Sequence, residues 1–265
     1  MMFICRYVTD SGPGWGLVED GHVYLLEGTP FGDAAHTPAR RPTLERGPVV
    51  GAVEEVTLLP PVTPGKIIAV GRNYAAHARE LGNIVPDEPL LFFKPPSSVT
   101  AAESAIELLP DSGRVDIEGE LAVVMGRRGR FIPPEEALGY VLGYTCANDV
   151  SDRDLQRSEQ QWVRAKGQDT FCPLGPWLAT GLEPSALVVE SRVNGERVQH
   201  ASTGDMVFSV PHLIATISRF MTLEPGDVIL TGTPEGVTQI QSGDIVEVEI
   251  DGIGVLRNPV TIIHR

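Results

Sequence analysis

Short apolar and β-branched runs separated by turn residues make up most of the chain. Three tight-turn signals lie beside such runs: Asp20-Gly21, Asn194-Gly195 and Asp251-Gly252. Pairs of this type favour β-hairpins because both residues tolerate positive φ. The run from Ile245 to Ile250 alternates apolar and acidic residues, as expected of a strand with one solvated face. The pattern predicts a mostly β protein, and 22 prolines and 28 glycines agree with many short strands and turns.

Helical patterns are fewer. Residues 74–81 carry apolar residues at helical spacing and stop at Gly82, a suitable C-cap. Residues 209–221 begin with a serine at the N-cap position and an early proline, which is typical of a helix start. A further short helix is expected near residues 134–138. These elements add an α component to a mostly β fold.

The chain is expected to have two parts. From Gly28 to about Val49 it is rich in proline, alanine and arginine and has little periodicity. We therefore place a small N-terminal β-rich domain at residues 1–60 and the main domain at residues 61–265.

Composition excludes several function classes. A net charge of −14 and a pI near 4.8 leave no basic surplus for nucleic acid or anionic lipid. Three cysteines without Cys-x-x-Cys spacing argue against a disulfide framework or a thiolate zinc site. Arg6 interrupts the apolar N-terminus, and no apolar window reaches membrane-spanning length. We expect a cytoplasmic protein without nucleic-acid or membrane partners.

Two acidic clusters lie against apolar segments. Glu118 and Glu120 are two residues apart, so in a strand both carboxylates point to the same face. Asp149 follows an apolar run that reads as a buried strand, while Asp152 and Asp154 are expected to be solvated or to cap the next helical turn. Oxygen ligands of this kind favour Mg²⁺, Mn²⁺ or Ca²⁺ over Zn²⁺. The alternative for Glu118 and Glu120 is a strand with a solvated face.

A histidine and a carboxylate share one face of the first predicted helix. His77 and Glu80 are three residues apart and therefore neighbours. A carboxylate that binds one imidazole nitrogen orients the ring and raises the basicity of the other nitrogen, which suits a general base. The alternative is an incidental surface pair. Arg72 precedes this helix and is either a substrate ligand or an ordinary turn residue.

Basic residues occur in apolar surroundings at Lys94 and Lys166, and Arg153 lies beside the second acidic cluster. In an acidic protein such cations can hold a carboxylate substrate or a developing oxyanion. The alternative for Lys94 is a side chain that reaches solvent from an edge strand. The turn after Leu230 can offer backbone N–H groups and Thr233 to a carboxylate or phosphate.

Seven motifs, taken in order, resemble the fumarylacetoacetate hydrolase family over about residues 64–262. They are GRNYAAHARE (71–80), FKP (93–95), DIEGELAVV (116–124), NDVSDRDLQ (148–156), KG (166–167), PLGPW (173–177) and LTGTPEGV (230–237). The resemblance implies an α+β, mostly β fold, a mixed β-sandwich roll of the family's C-terminal type, usually in a homodimer. The first 60 residues resemble the small variable domain of some bacterial members.

The resemblance also implies roles for individual residues. It implies that Glu118, Glu120 and Asp149 bind Mg²⁺, Mn²⁺ or Ca²⁺, and that His77 and Glu80 on a lid-like segment activate water or move a proton. It implies that Lys166 stabilises an enolate or oxyanion. The positions matching Arg153, Gln156 and Thr233 lie near substrate in the family.

The implied substrate is a small 2-oxo acid or unsaturated dicarboxylate that reacts through a metal-stabilised enolate. Three reactions share that enolate: C–C hydrolysis of an acylpyruvate or fumarylpyruvate, isomerisation of 2-hydroxyhepta-2,4-diene-1,7-dioate in aromatic catabolism, and decarboxylation of an oxaloacetate-like acid. A hypothesis of another class is a non-catalytic binding protein that the metal stabilises.

Overall fold

The computed structural model describes residues 1–31 and 44–263. The segment that the sequence predicts to lack periodicity therefore lies partly outside the described residues. The C-terminal end of that segment is described, and it belongs to a strand. In the described residues the strands are β1 Met2–Thr9, β2 Gly12–Glu19, β3 His22–Leu26, β4 Arg46–Ala52, β5 Leu58–Leu59, β6 Ile67–Gly71, β7 Leu90–Lys94, β8 Val99–Thr100, β9 Ile106–Leu108, β10 Val115–Ile117, β11 Gly119–Met125, β12 Val141–Asn148, β13 Ser151–Asp152, β14 Cys172–Thr180, β15 Val188–Val193, β16 Glu196–Ser202, β17 Val228–Leu230, β18 Thr238–Gln239, β19 Ile245–Ile250 and β20 Gly254–Ile262.

Helices are short and few in the described ranges. The α-helices are α1 Ala75–Glu80, α2 Arg153–Ser158, α3 Val163–Lys166 and α4 Val210–Phe220. Single 3₁₀ segments cover Val53–Glu55, Pro96–Ser98, Pro134–Tyr140 and Thr203–Asp205. The predicted mostly β fold with a minor helical component is confirmed.

Within residues 1–31 and 44–263 the strands form three sheets. The largest has 12 strands, with the path β4-β3-β2-β1-β14-β12-β11-β17-β6-β7 and with β5 and β8 attached to β1 and β14. A 5-stranded sheet has the order β16-β15-β19-β20-β9, and a 3-stranded sheet has the order β13-β10-β18. The small sheet joins the two acidic clusters of the sequence, because β10 leads to Glu118 and β13 follows Asp149.

Strand β11 is buried on both faces. Leu121 and Val123 belong to the cluster that the large sheet forms with the 5-stranded sheet and α4. Ala122 and Val124 belong to a second cluster on the opposite face. Since side chains alternate along a strand, one apolar run supplies both clusters. The strand that begins at Gly119 is therefore held on both sides by packed apolar residues.

The three predicted hairpins are present. Asn194 and Gly195 join β15 to β16 with φ of 53° and 79°, in the left-handed region that Asn-Gly turns require. Asp20 and Gly21 join β2 to β3 in the same way. The third turn is one residue longer than predicted, because Ile250 pairs with Gly254.

The predicted helices also appear, with two differences. Helix α1 ends before Gly82, whose φ is 70°. Helix α4 starts after Ser209 as expected, but the serine side chain makes no cap hydrogen bond, so the expected capping contact is wrong. Packing of Leu213 and Ile217 into the core stabilises α4 instead. The segment near 134–138 is a 3₁₀ helix.

The N-terminal strands continue the large sheet. Phe3 of β1 pairs with Ala179 of β14 in antiparallel register, so β1 to β4 extend a sheet that also contains β11 and β12. The boundary between residues 60 and 61 stays a prediction. In the described ranges, no helix combines the length and apolar character that crossing a membrane needs.

A candidate active site at three buried carboxylates

Glu118 lies at a break between two strands. Its backbone N–H donates to Asn148 Oδ1 (3.0 Å), and its carbonyl accepts from the Asp149 N–H (2.8 Å). The single strand expected across residues 118 and 120 is therefore interrupted, because the Glu118 backbone binds the end of β12. The interruption brings the two acidic clusters of the sequence into direct contact.

Three carboxylates meet at this break. Ligand oxygens of Glu118, Glu120 and Asp149 all lie within 4.8 Å of one another, and the three residues are buried. The glycine between the two glutamates permits close packing, since a Cβ on Gly119 would lie 2.1 Å from Ser191 Oγ. The structure thus gathers the three residues predicted as metal ligands.

Two cations neutralise Glu118. Lys166 Nζ lies 2.7 Å from its Oε2, and Arg153 Nη2 lies 2.7 Å from its Oε1. Burial alone raises the pKa of Glu118, but Lys166 and Arg153 outweigh burial and bring that pKa below its ordinary value. Glu118 is therefore ionised. Arg153 also donates to Asp116 Oδ2 (2.8 Å) and to Gln156 Oε1 (2.8 Å).

Asp149 is held by two lysines. Lys166 Nζ donates to Oδ2 and Lys94 Nζ donates to Oδ1, each at 2.5 Å. Lys94 is 1% exposed and does not reach solvent as an edge-strand lysine would. Its ammonium group contacts a predicted metal ligand, and its predicted contact with substrate stays a prediction.

Glu120 differs from the other two carboxylates. Among residues 1–31 and 44–263 it forms no ion pair, and it accepts the Gly232 N–H at 2.7 Å. Burial, then Asp149 and Glu118, raise the pKa of Glu120 well above its ordinary value. A buried carboxylate beside two others is the arrangement that a bound cation would relieve. The donor set of three carboxylates fits a hard divalent ion.

A cavity of about 430 Å³ opens beside these residues. Leu81 and Trp162 give it apolar surface, and Arg114, Asp116, Arg157 and Glu159 add polar surface that the sequence interpretation did not assign. Most of the predicted site residues line it: Arg72, His77, Glu118, Glu120, Arg153, Gln156, Lys166 and Thr233. Glu80, Lys94 and Asp149 contact these lining residues or one another.

His77 and Glu80 contact each other at one wall of this cavity. His77 Nδ1 lies 3.3 Å from Glu80 Oε2, and His77 is buried. The Gly236 N–H donates to Glu80 Oε1 at 3.0 Å. The carboxylate therefore links helix α1 to the turn after β17 while it orients the imidazole.

Arg72 has an unusual backbone conformation. It lies between β6 and α1 with a φ of 60°, a left-handed value that costs a non-glycine residue about 1 kcal/mol or more. Arg72 lines the cavity and forms no ion pair within the described part of the chain. Asn73 beside it has a structural role, because its side chain donates to Thr231 O at 2.7 Å.

Backbone N–H groups of the turn after β17 bind carboxylates of the protein itself. Its Gly232 N–H binds Glu120 and its Gly236 N–H binds Glu80. Thr233 Oγ1 donates to Gly119 O at 3.0 Å. The sequence predicted that backbone N–H groups of this turn hold an external anion. At Gly232 and Gly236 they bind carboxylates of the protein itself instead.

Among the residues that sequence reasoning missed, Asp116 and Gln199 hold parts of the carboxylate cluster in place. Asp116 lies in the quoted DIEGELAVV motif and binds Arg153, so the motif itself held a signal for it. Gln199 binds the backbone of Gly119 from 80 residues away, and its surrounding sequence matches no motif. Only the pairing of distant strands brings it to the site.

Comparison with known proteins covers nearly the whole chain. Residues 66–261 match the family model described as fumarylacetoacetate (FAA) hydrolase C-terminal. Residues 2–61 match the model described as Rv2993c-like, N-terminal.

Individual relatives carry three different activities in their names. The mitochondrial oxaloacetate tautomerase FAHD2B of Bos taurus is 45% identical over 270 residues, covering 95% of this chain and 86% of that protein. The structure of 2-hydroxyhepta-2,4-diene-1,7-dioate isomerase from Mycobacterium marinum is 37% identical, with a TM-score of 0.87 and 100% coverage of both chains. Maleylpyruvate hydrolase from Sphingobium sp. SYK-6, in complex with manganese(II) ion and pyruvate, is 32% identical, with a TM-score of 0.78 and coverage of 99% of this chain and 100% of that chain.

Proposed function

Because the chain belongs to the fumarylacetoacetate hydrolase family, we propose that it is a divalent-metal-dependent enzyme that relocates a proton in a 2-oxo dicarboxylate or its enol. The observation that carries this proposal is the cluster of Glu118, Glu120 and Asp149, in which Glu120 has no cationic partner among the described residues. The products would be isomers or tautomers of the substrate.

Glu118, Glu120 and Asp149 would hold Mg²⁺ or Mn²⁺, with Ca²⁺ as a further candidate. A likeness to a hydrolase solved with manganese(II) supports this choice of ions. A divalent ion bound there supplies Lewis-acid polarisation of the keto and carboxylate oxygens, which stabilises negative charge on an enolate. The chain's own residues then have to bind the substrate and move the proton.

His77 is the proposed base. Glu80 binds Nδ1, which leaves Nε2 as the basic nitrogen, and His77 lines the same cavity as Glu118 and Glu120. It would take a proton from the carbon next to the keto group and return it at the new position. General acid–base catalysis of this kind contributes about 10²–10⁴-fold in rate.

Lys166 would stabilise charge on the substrate oxygen. An ammonium group has three N–H donors. Two of them contact Glu118 and Asp149, at 2.7 and 2.5 Å. The third has no hydrogen-bond acceptor among the described residues. The ammonium also lies 5.1 Å from the centroid of the Phe92 ring, and its third N–H would be available to a substrate oxygen in the cavity that Lys166 lines.

Arg72 favours a substrate with a second carboxylate. Arg72 lines the cavity, and no carboxylate of the described residues forms an ion pair with it. An unpaired arginine in a cavity is suited to bidentate binding of a carboxylate. Arg153 and Gln156 bind each other through a hydrogen bond. Both would contact the substrate near the metal site.

Hydrolysis of a C–C bond in a fumarylpyruvate-type substrate is the second candidate function. The likeness to maleylpyruvate hydrolase favours it, and His77 with Glu80 can orient a water molecule as well as a carbon acid. Decarboxylation of an oxaloacetate-like acid has less support, because it needs no base and leaves the His77–Glu80 pair without a role.

One experiment separates these functions. The purified protein is stripped with a chelator, reloaded with Mg²⁺ or Mn²⁺, and assayed with enol-oxaloacetate, 2-hydroxyhepta-2,4-diene-1,7-dioate and fumarylpyruvate, with oxaloacetate decarboxylation followed in parallel. We expect metal-dependent isomerisation or tautomerisation that Glu118→Gln abolishes. Metal binding without turnover of any of these acids would instead support a metal-stabilised binding protein. The predicted homodimer is tested separately by light scattering.

A further inference from the structure

Gln199 uses its whole hydrogen-bonding capacity beside the carboxylate cluster. The residue lies on β16 and is 1% exposed. Its Oε1 accepts from the Gly119 N–H (2.9 Å) and from Ser191 Oγ (2.8 Å). Its Nε2 donates to Thr233 Oγ1 (2.8 Å) and to Pro234 O (2.9 Å). A side-chain amide has two acceptor sites and two donors, so nothing is left for other partners.

These partners fix which way the amide faces. The Gly119 N–H can only donate and the Pro234 carbonyl can only accept. A rotated amide would therefore oppose donor to donor and acceptor to acceptor, leaving two buried groups unsatisfied at about 1–3 kcal/mol each. It follows that Nε2 is the group that faces Thr233, and that Thr233 accepts a hydrogen bond from it.

The same contacts close a ring around Gly119. Thr233 Oγ1 donates its single proton to Gly119 O (3.0 Å), while Gln199 Oε1 accepts the Gly119 N–H. Both backbone groups of Gly119 are therefore held by Gln199 and Thr233. Gly119 joins Glu118 to Glu120, so the ring sets the relative position of those two carboxylates.

We propose that Gln199 is a positioning residue for the metal site, and that it also sets the hydrogen-bonding polarity of Thr233 toward the cavity. The proposal rests on the proposed function, since it assigns Gln199 to a metal site formed by Glu118 and Glu120. The direction of the hydrogen bonds at Thr233 follows from the number of lone pairs on its hydroxyl oxygen.

The Thr233 hydroxyl has one proton and two lone pairs. The proton goes to Gly119 O and one lone pair takes the Gln199 N–H, which leaves one lone pair for the cavity that Thr233 lines. With the proton on Gly119 O, Thr233 would accept a hydrogen bond from a ligand. A suitable partner in this arrangement is an enol hydroxyl or a water molecule, whereas a carboxylate oxygen, which the sequence suggested, would bind only if the hydroxyl proton left Gly119 O.

Mn²⁺ titration of chelator-stripped protein, followed by the electron paramagnetic resonance of free Mn²⁺, tests the positioning role. Gln199→Met keeps the length of the side chain and removes its hydrogen bonds. We expect Mn²⁺ affinity to fall by about tenfold or more, the range for residues that orient metal ligands. His200→Ala is the matched control, because His200 is the next residue on β16 and its side chain is 52% exposed beside Glu190.

A second pair of variants keeps the test independent of whether Gln199→Met folds. Thr233→Val preserves shape and breaks the ring at Gly119 O, so Mn²⁺ affinity should fall, whereas Thr233→Ser should retain it. The melting temperature in chelator reports on the fold alone. Unchanged Mn²⁺ affinity in both Gln199→Met and Thr233→Val would overturn the positioning role. A wild-type protein that binds no Mn²⁺ would instead overturn the proposed function.

Discussion

Glu118 and Glu120 lie two residues apart in one cluster, yet Glu118 contacts both Lys166 and Arg153 whereas Glu120 pairs with no cation in the described ranges. Neutralising each one should therefore change the metal-free protein in opposite directions. Glu118→Gln takes one of two carboxylate partners from each of two buried cations and should destabilise the metal-free fold by about 1–3 kcal/mol. Glu120→Gln removes a carboxyl group that is costly to ionise in this cluster and should leave the metal-free stability unchanged or raised.

Urea unfolding in chelator measures both variants, and the same titration with Mn²⁺ gives the metal-dependent gain. The wild type should gain about 2.7 kcal/mol at a Mn²⁺ concentration of 100 Kd, and both variants should lose most of that gain. Equal metal-free stabilities for the two variants would contradict the assigned ion pairing.

Glu80 should act on turnover through His77. Because Glu80 binds Nδ1 of His77 and the Gly236 N–H, Glu80→Gln should lower kcat less than His77→Ala, for which a loss of about 10²–10⁴-fold is expected. Steady-state kinetics with the best substrate of the panel gives both values. Mn²⁺ affinity is the control and should not change, since neither residue is a proposed ligand. Full activity in His77→Ala would exclude it as the base.

Replacing Arg72 with glycine should raise the stability of the fold and weaken the binding of substrate. Arg72→Gly relieves a left-handed backbone and should raise the free energy of unfolding by about 1 kcal/mol. It also removes the cation that would bind a second carboxylate, so KM for a dicarboxylate should rise while KM for acetylpyruvate changes little. Arg72→Ala is the matched variant, because it removes the charge and keeps the strain. A rise in KM for both substrate types would show that Arg72 does not recognise the second carboxylate.

The cysteines should be unreactive in the native protein. Cys5, Cys146 and Cys172 are free and buried. Burial raises the pKa of the Cys5 and Cys172 thiols to about 12, so almost no thiolate forms at pH 8. Ellman's reagent should label no thiol in buffer and three in guanidinium chloride. Fast labelling of one native thiol would contradict the burial assigned here.

Local patterns predicted those parts of the molecule that local physics determines. The Asn194-Gly195 turn follows from backbone preferences of two residues, and helix α1 follows from spacing and a C-terminal glycine. The contact between His77 and Glu80 also follows from helical spacing alone. A shared site for Glu118 and Asp149 was predicted from the alternation of Glu118 and Glu120 along a strand and from the position of Asp149 at a strand end, although the break in the strand at Glu118 was not.

Contacts that depend on sheet order could not be read in this way. Gln199 reaches Gly119 because β15 packs beside β11 and β16 pairs with β15, which no window of sequence encodes. Lys94 was recognised as unusual from its apolar surroundings, but its contact with Asp149 depends on where β7 lies in the sheet. The φ of Arg72 is likewise imposed by tertiary structure, since arginine has no preference for it.

Strand β11 has a consequence for how this protein can diversify. Glu120 lies at the start of a strand that apolar clusters bury on both faces. The amide protons of this strand should therefore exchange with solvent only when the whole fold opens. The cavity walls come instead from connections around Arg72 and Trp162. Changes in those connections can therefore alter the substrate preference while Glu118, Glu120 and Asp149 keep their positions.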